Sequence, residues 1–99
     1  MPEMTVSVRW PDGSTSRLYS PSLVMHDHLD VGASYPVAEF TERATTALGI
    51  ASDRVLAKFG FRCTSAAATV EQIERETAPF SPTDPVEVLA MHPPLPQEA

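Results

Sequence analysis

The sequence predicts an α+β domain in two layers: an antiparallel sheet of about three strands, one face packed by two antiparallel helices. Three observations predict it. Residues 4–20 alternate apolar and polar on both sides of a Pro-Asp-Gly turn, residues 36–59 carry an apolar stripe at spacings of three and four, and residues 86–91 form a strand-like run free of proline.

The first element pair is a β-hairpin. Met4, Val6, Val8 and Trp10 alternate with polar residues and give a strand with one buried face. Pro11-Asp12-Gly13 suits a type I turn followed by a left-handed glycine bulge. That loop sets Trp10 opposite Ser14, Val8 opposite Ser16 and Val6 opposite Leu18. A two-residue Asp-Gly loop would turn Leu18 away from Val6, so the bulged register is preferred. Arg9 and Tyr19 then face the other side. After the hairpin, Ser20-Pro21-Ser22 can open a short helix, and Leu23-Val24-Met25 can equally continue as extended chain. Gly32 and Pro36 punctuate that segment.

The first helix spans Pro36 to Phe59, with Val37, Phe40, Ala44, Ala47, Leu48, Ala51, Val55 and Phe59 on its buried stripe. Gly49 and Ser52-Asp53 allow a break near residue 50. Gly60 fits a Schellman ending in which Phe61 folds back on Leu56. A second helix is expected from Thr64 or Ser65 to about Ala78, stopped by Pro79. Its inner face is thin: Ala66, Val70, Ile73 and Thr77, with Ala67 beside them. Glu71, Glu74, Arg75 and Glu76 are expected on its wet face. In the last strand, Val86, Val88 and Ala90 should face one side and Glu87, Leu89 and Met91 the other. Residues 1–91 are thus expected to form one domain, and residues 92–99, with Pro93, Pro94 and Pro96, a flexible tail.

Composition narrows the function classes. A 99-residue chain holds one core. Seven Lys+Arg against 13 Asp+Glu give a net charge of −6, without a dense basic stretch, which disfavours nucleic-acid binding. A single cysteine excludes an intrachain disulfide and fits a reducing cytoplasm. The N-terminus lacks the pattern of a signal peptide, and no apolar run is long enough for a bilayer.

The strongest candidate site is the corner between the two helices. Arg54, Lys58 and Arg62 are spaced four apart and place cations around Cys63, just before a helix N-terminus. Positive charge and the helix dipole both lower a thiol's pKa. The plainer reading is that these cations complement the end of the first helix and that the thiol is a small buried hydrophobe. His26 and His28 share a face if extended, but His92 is the one remaining histidine and lies in the expected tail, so no metal site and no cofactor are expected. Trp10 is expected to cap the core with its indole N–H reaching water or a carbonyl.

Four segments carry a family resemblance: Arg9-Trp10-Pro11-Asp12-Gly13-Ser14, Tyr19-Ser20-Pro21-Ser22, Tyr35-Pro36-Val37-Ala38-Glu39-Phe40, and Ser52 through Cys63. Together, over about residues 1–80, they resemble the small bacterial nitrogen starvation response proteins. Phe59 stands where that family usually has tyrosine and Thr64 where it usually has serine. The resemblance implies an accessory protein encoded with a nitrilase, a radical-SAM protein, an acetyltransferase and a flavin-dependent oxidoreductase, in clusters tied to nitrogen scavenging and nitrile or cyanide use. It carries over no assigned catalytic activity to any residue. The expected function is therefore an accessory or binding protein of such a pathway, with self-association or pathway enzymes as partners, and neither nucleic acid nor membrane. The alternative is a small enzyme or carrier using Cys63 as nucleophile, with Arg54 and Lys58 holding an anionic group.

Overall fold

Alternation and turn chemistry act together at the start of the chain. A computed structural model describes residues 3–60 and 64–92. Strands β1 (Met4–Arg9) and β2 (Thr15–Ser20) pair antiparallel with Val6 opposite Leu18 and Val8 opposite Ser16. Trp10 N–H donates to the Ser14 carbonyl at 2.8 Å, and Gly13, at φ 90°, donates to the Trp10 carbonyl at 2.9 Å. The register is the one that keeps Leu18 with Val6 on the buried face, because only glycine takes that φ without strain.

The turn also holds a charge. Asp12 Oδ1 accepts from the Ser14 hydroxyl at 2.6 Å and from the Ser14 N–H at 3.0 Å. The hydroxyl contact first, then the backbone one, hold the Asp12 carboxyl below the ordinary aspartate value. A depressed pKa means that this ionised turn contributes above the ordinary value and is lost as pH falls through the lowered one. In an NMR titration Asp12 is expected to protonate at lower pH than an unstructured aspartate. Ser14→Ala should move it back up, and an unchanged titration in that variant would break the assignment.

After β2 the chain makes a 3-10 turn, Leu23–Asp27, capped by Ser22, and then a short strand β3, Ser34–Pro36. The proline-flanked segment thus resolves as helical rather than extended. Helix α1 (Val37–Phe59) runs unbroken through Gly49, and α2 (Thr64–Thr77) follows. Pro36 offers no capping side chain at the start of α1. The first helical donors are met instead by the connector before the last strand: Val37 N–H donates to the Asp84 carbonyl at 2.8 Å and Ala38 N–H to the Pro82 carbonyl at 3.0 Å. Gly60, at φ 79°, closes α1 with its N–H on the Leu56 carbonyl at 2.8 Å, and the Phe61 part of the expected ending lies outside the described residues.

Among the described residues the sheet has four strands in the order β2-β1-β4-β3, with β4 spanning Pro85–His92. The extra strand is β3, whose Gly32 and Pro36 boundaries read in sequence only as punctuation. Its three residues pair Ser34 with Glu87 and Tyr35 with Val86. Strand β4 includes His92, opposite Thr5, where the tail was expected to begin; residues 93–99 lie outside the described residues.

Strand β4 also corrects the expected alternation. The register against β1 shifts between Ser7 and Val8: Ser7 faces Ala90, but Val8 faces Val88. Leu89 is the extra residue of a β-bulge, so the side-chain alternation resets. Met91, opposite Val6, is buried, and Ala90, opposite Ser7, falls on the other face.

The core lies between the sheet and the helices. Val6, Val8, Leu18, Val86 and Val88 meet Phe40, Ala44, Leu48 and Ile73 in one cluster that also takes in Met25 and Leu29 from the turn region. Trp10 packs edge-to-face on Phe40 with ring centroids 5.8 Å apart. Phe59, expected on the buried stripe, is instead 50% exposed. Each four-residue step along a helix over-rotates by about 40°. The run Ala51, Val55, Phe59 therefore walks to the rim of the buried arc at the helix's last residue.

Helix α2 does more than thicken the core. Its buried residues are Ala66, Thr69 and Ile73, with Val70 only half-buried and Ala67 exposed. Hydrophobicity alone passes over Thr69, which is buried because its hydroxyl donates to the Tyr19 carbonyl at 2.7 Å. Gln72 Nε2 likewise donates to the Arg17 carbonyl at 3.3 Å. Residues 17 and 19 point their backbone groups away from β1, because the 10–14 bonding sets the even pairs as the bonded ones. The side chains of α2 thus cover the open edge of β2. The opposite edge is protected by the shortness of β3 and by its proline. Among the described residues no helix is long and apolar enough to cross a membrane.

Candidate functional site

Tyr19-Ser20-Pro21-Ser22 forms a polar knot at the junction of β2, both helices and the 3-10 turn. Ser20 and Ser22 are both buried. Ser20 Oγ donates to the Ser22 carbonyl at 2.7 Å and accepts from the Ser22 N–H at 3.3 Å. Ser22 Oγ accepts from the Val24 N–H at 3.3 Å and caps the 3-10 turn. The Tyr19 carbonyl accepts from Thr69 on α2, as above. Arg54, on α1, donates from its guanidinium to Ser22 Oγ at 3.0 Å.

This joins two segments distant in sequence. Ser22 comes from the Tyr19–Ser22 motif and Arg54 from the Ser52–Cys63 motif. Arg54 therefore acts first as a clasp between α1 and the 3-10 turn. Lys58, one turn further along α1, is exposed, with its ammonium 5.8 Å from the centroid of the Phe59 ring. Arg62 and Cys63 lie outside the described residues. Ser22 was not singled out as a site residue in sequence; its signal was its place in the motif, two residues from a buried serine.

Ser22→Ala removes a cap and strands a buried N–H, and is expected to cost about 1–2 kcal/mol in urea unfolding. Arg54→Ala should cost less, because Arg54 is an exposed residue and its bond to Ser22 is only part-buried. The double variant should fall short of the sum, since both changes break one contact. Full additivity would show that the clasp is not made.

A second polar chain links the sheet to the end of α2. Trp10 Nε1 donates to Ser16 Oγ at 2.9 Å, and Ser16 Oγ donates to Glu76 Oε1 at 2.5 Å. Glu76, expected on the wet face of α2, is therefore half-buried, and its Oε2 is buried without a hydrogen-bond partner among the described residues. The Trp10 indole reaches a hydroxyl rather than the water or carbonyl expected of it.

Arg43 secures the loop before β3. It donates to the His28 carbonyl at 3.1 Å and to Glu39 at 3.2 Å, and its guanidinium lies 5.0 Å over the Tyr35 ring. Tyr35 Oη in turn accepts from the Asp30 N–H at 3.1 Å. His26 and His28 sit in and just after the 3-10 turn rather than on one face of a strand. Among the described residues no group of three or more His, Cys, Asp or Glu is placed to hold a metal ion.

The sheet face turned away from the helices is polar, and among the described residues nothing covers it. Arg9, on β1, pairs with Glu87, on β4, at 3.3 Å. Tyr19 Oη donates to Glu3 at 2.9 Å. Between these pairs lie the small side chains of Thr5, Ser7 and Ala90.

Comparison with curated proteins and with solved structures finds no match in either. The family comparison does. The family model of the nitrogen starvation-induced protein NitG matches residues 5–91, a span that holds both helices, the serine knot and nearly the whole sheet, and the chain belongs to that family.

Proposed function

We propose that this nitrogen starvation-induced protein is an accessory or binding protein, acting by non-covalent contact with a second copy or with enzymes of a nitrogen-acquisition pathway. Nitrile-using enzymes are the partner class that the family resemblance implies. The observation that carries this reading is the asymmetry of the sheet. One face is sealed by helices, and both edges are protected against strand addition. The other face, which no described residue covers, is a surface for contact. The alternative, a Cys63 nucleophile with Arg54 and Lys58 holding an anion, draws less support, because the Arg54 guanidinium is already used on Ser22.

The test uses the full chain and a variant, Ser7→Arg, which fills the centre of the open face. Sedimentation and affinity capture from nitrogen-starved cells are expected to show a defined oligomer or a stoichiometric pathway enzyme for the unaltered protein, lost in Ser7→Arg. A monomer that captures no pathway enzyme would overturn the reading.

A further inference from the structure

The open sheet face has a trough on its β2 side. Ser7, Thr15, Ser16, Arg17 and Leu89 line about 380 Å³ of space. The bulge at Leu89 shapes one wall, and the small Ser7 side chain, directly opposite Arg17, leaves the floor low. Ser16 has its hydroxyl committed to Glu76. Ser7, Thr15 and the Arg17 guanidinium have no hydrogen-bond or ion-pair partner among the described residues. Among the described residues no acid lines the trough, and the acids on the same face are engaged elsewhere: Glu87 by Arg9 and Glu3 by Tyr19. A guanidinium free of partners, two free hydroxyls and an apolar wall, in a chain of net charge −6, match a carboxylate on a short apolar body.

We propose that this trough is a carboxylate-binding site, with Arg17 as the anchor, Ser7 and Thr15 as hydroxyl donors and Leu89 against the apolar part. It rests on the reading of the open sheet face as the binding surface and names the chemistry taken there. Two sources can supply the carboxylate. One is a free organic acid. The other is Glu98 of the chain's own C-terminal segment. Arg17 lies two strands over and two residues along from His92, about 12 Å away. Six residues link His92 to Glu98, a length of chain that reaches at most about 20 Å, which covers that distance.

The experiment follows the Arg17 side-chain Nε–Hε resonance and the Ser7 and Thr15 amides by NMR in the full chain, titrated with sodium propionate at constant ionic strength against sodium chloride. A saturable shift is expected with a midpoint on the order of 10 mM, from a guanidinium–carboxylate hydrogen bond supplemented by two hydroxyls and an apolar wall. Arg17→Gln, a change at an exposed position, should abolish the saturable shift at Ser7 and Thr15.

Glu98→Gln separates the sources. If Glu98 occupies the trough, that variant moves the starting Arg17 resonance and tightens propionate about threefold or more, since the tethered competitor is gone. If a free acid is the ligand, it changes neither. Shifts that propionate and chloride produce alike in both proteins, or that survive Arg17→Gln, would overturn the proposal. A protein that captures a partner but no propionate fails this inference alone, whereas one that binds propionate but no partner fails only the broader reading.

Discussion

Phe40→Ala is expected to lower the stability of the fold by about 3–5 kcal/mol, the largest loss from a single truncation. Phe40 is fully buried and meets Trp10 edge-to-face, so the change removes both transferred area and an aromatic contact while leaving a cavity under the sheet. A domain of this size has about 5–15 kcal/mol in total, so the variant should unfold at much lower urea and lose Trp10's native fluorescence environment early in the transition. A cost below about 1 kcal/mol would mean that α1 does not seat Phe40 on the hairpin. Phe40→Leu, which keeps most of the volume, should recover much of the loss.

Ile73→Ala should cost about 2–5 kcal/mol by the same cavity argument, and its consequence is more local. The inner face of α2 is otherwise built from Ala66 and Thr69, so Ile73 is the one large buried side chain that holds this helix down. Loosening α2 should also release the Thr69 and Gln72 bonds that cover the β2 edge. Amide exchange at Ser16 and Leu18, whose N–H groups hold β2 to β1, should then accelerate more than at Thr5 and Ser7, whose N–H groups face β4 in the middle of the sheet. Uniform acceleration of all four amides would instead indicate global unfolding and contradict the covering role given to α2. An edge strand exposed in this way would also favour aggregation, to be read by light scattering as the variant is concentrated.

Much of the fold was legible because local signals agreed with tertiary demand. The Pro11-Asp12-Gly13 turn and the alternation on either side fixed the hairpin register from residues alone. The stripe of α1 read correctly from Val37 to Val55. It failed at Phe59, where periodicity drifts and the helix runs out. The alternation of β4 failed for a different reason. A bulge inserts one residue without leaving a mark in composition, and a period-two reading past Val88 assigns Ala90 and Met91 to the wrong faces. Strand β3 was invisible because three residues ending in proline carry little β signal; the pairing comes from β4.

The candidate site shows the same division. The sequence marked Arg54 and Lys58 by charge, and the structure gives Arg54 a hydroxyl partner that charge patterning does not point to. Thr69 was passed over and Glu76 misplaced because their burial depends on specific hydrogen bonds to β2 rather than on apolarity. Polar residues that seal a fold look like surface residues until their partners are known.

Helices seal one face of the four-stranded sheet and, among the described residues, nothing covers the other, with the β4 bulge deciding which residues lie on which side. Paramagnetic relaxation of side-chain resonances by a soluble gadolinium chelate tests it most directly. Val6, Val8, Val88 and Met91 should be protected, whereas Thr5, Ser7 and Ala90 should relax strongly. Met91 relaxing as fast as Thr5, with Ala90 protected in its place, would contradict both the bulge and the layer arrangement built on it.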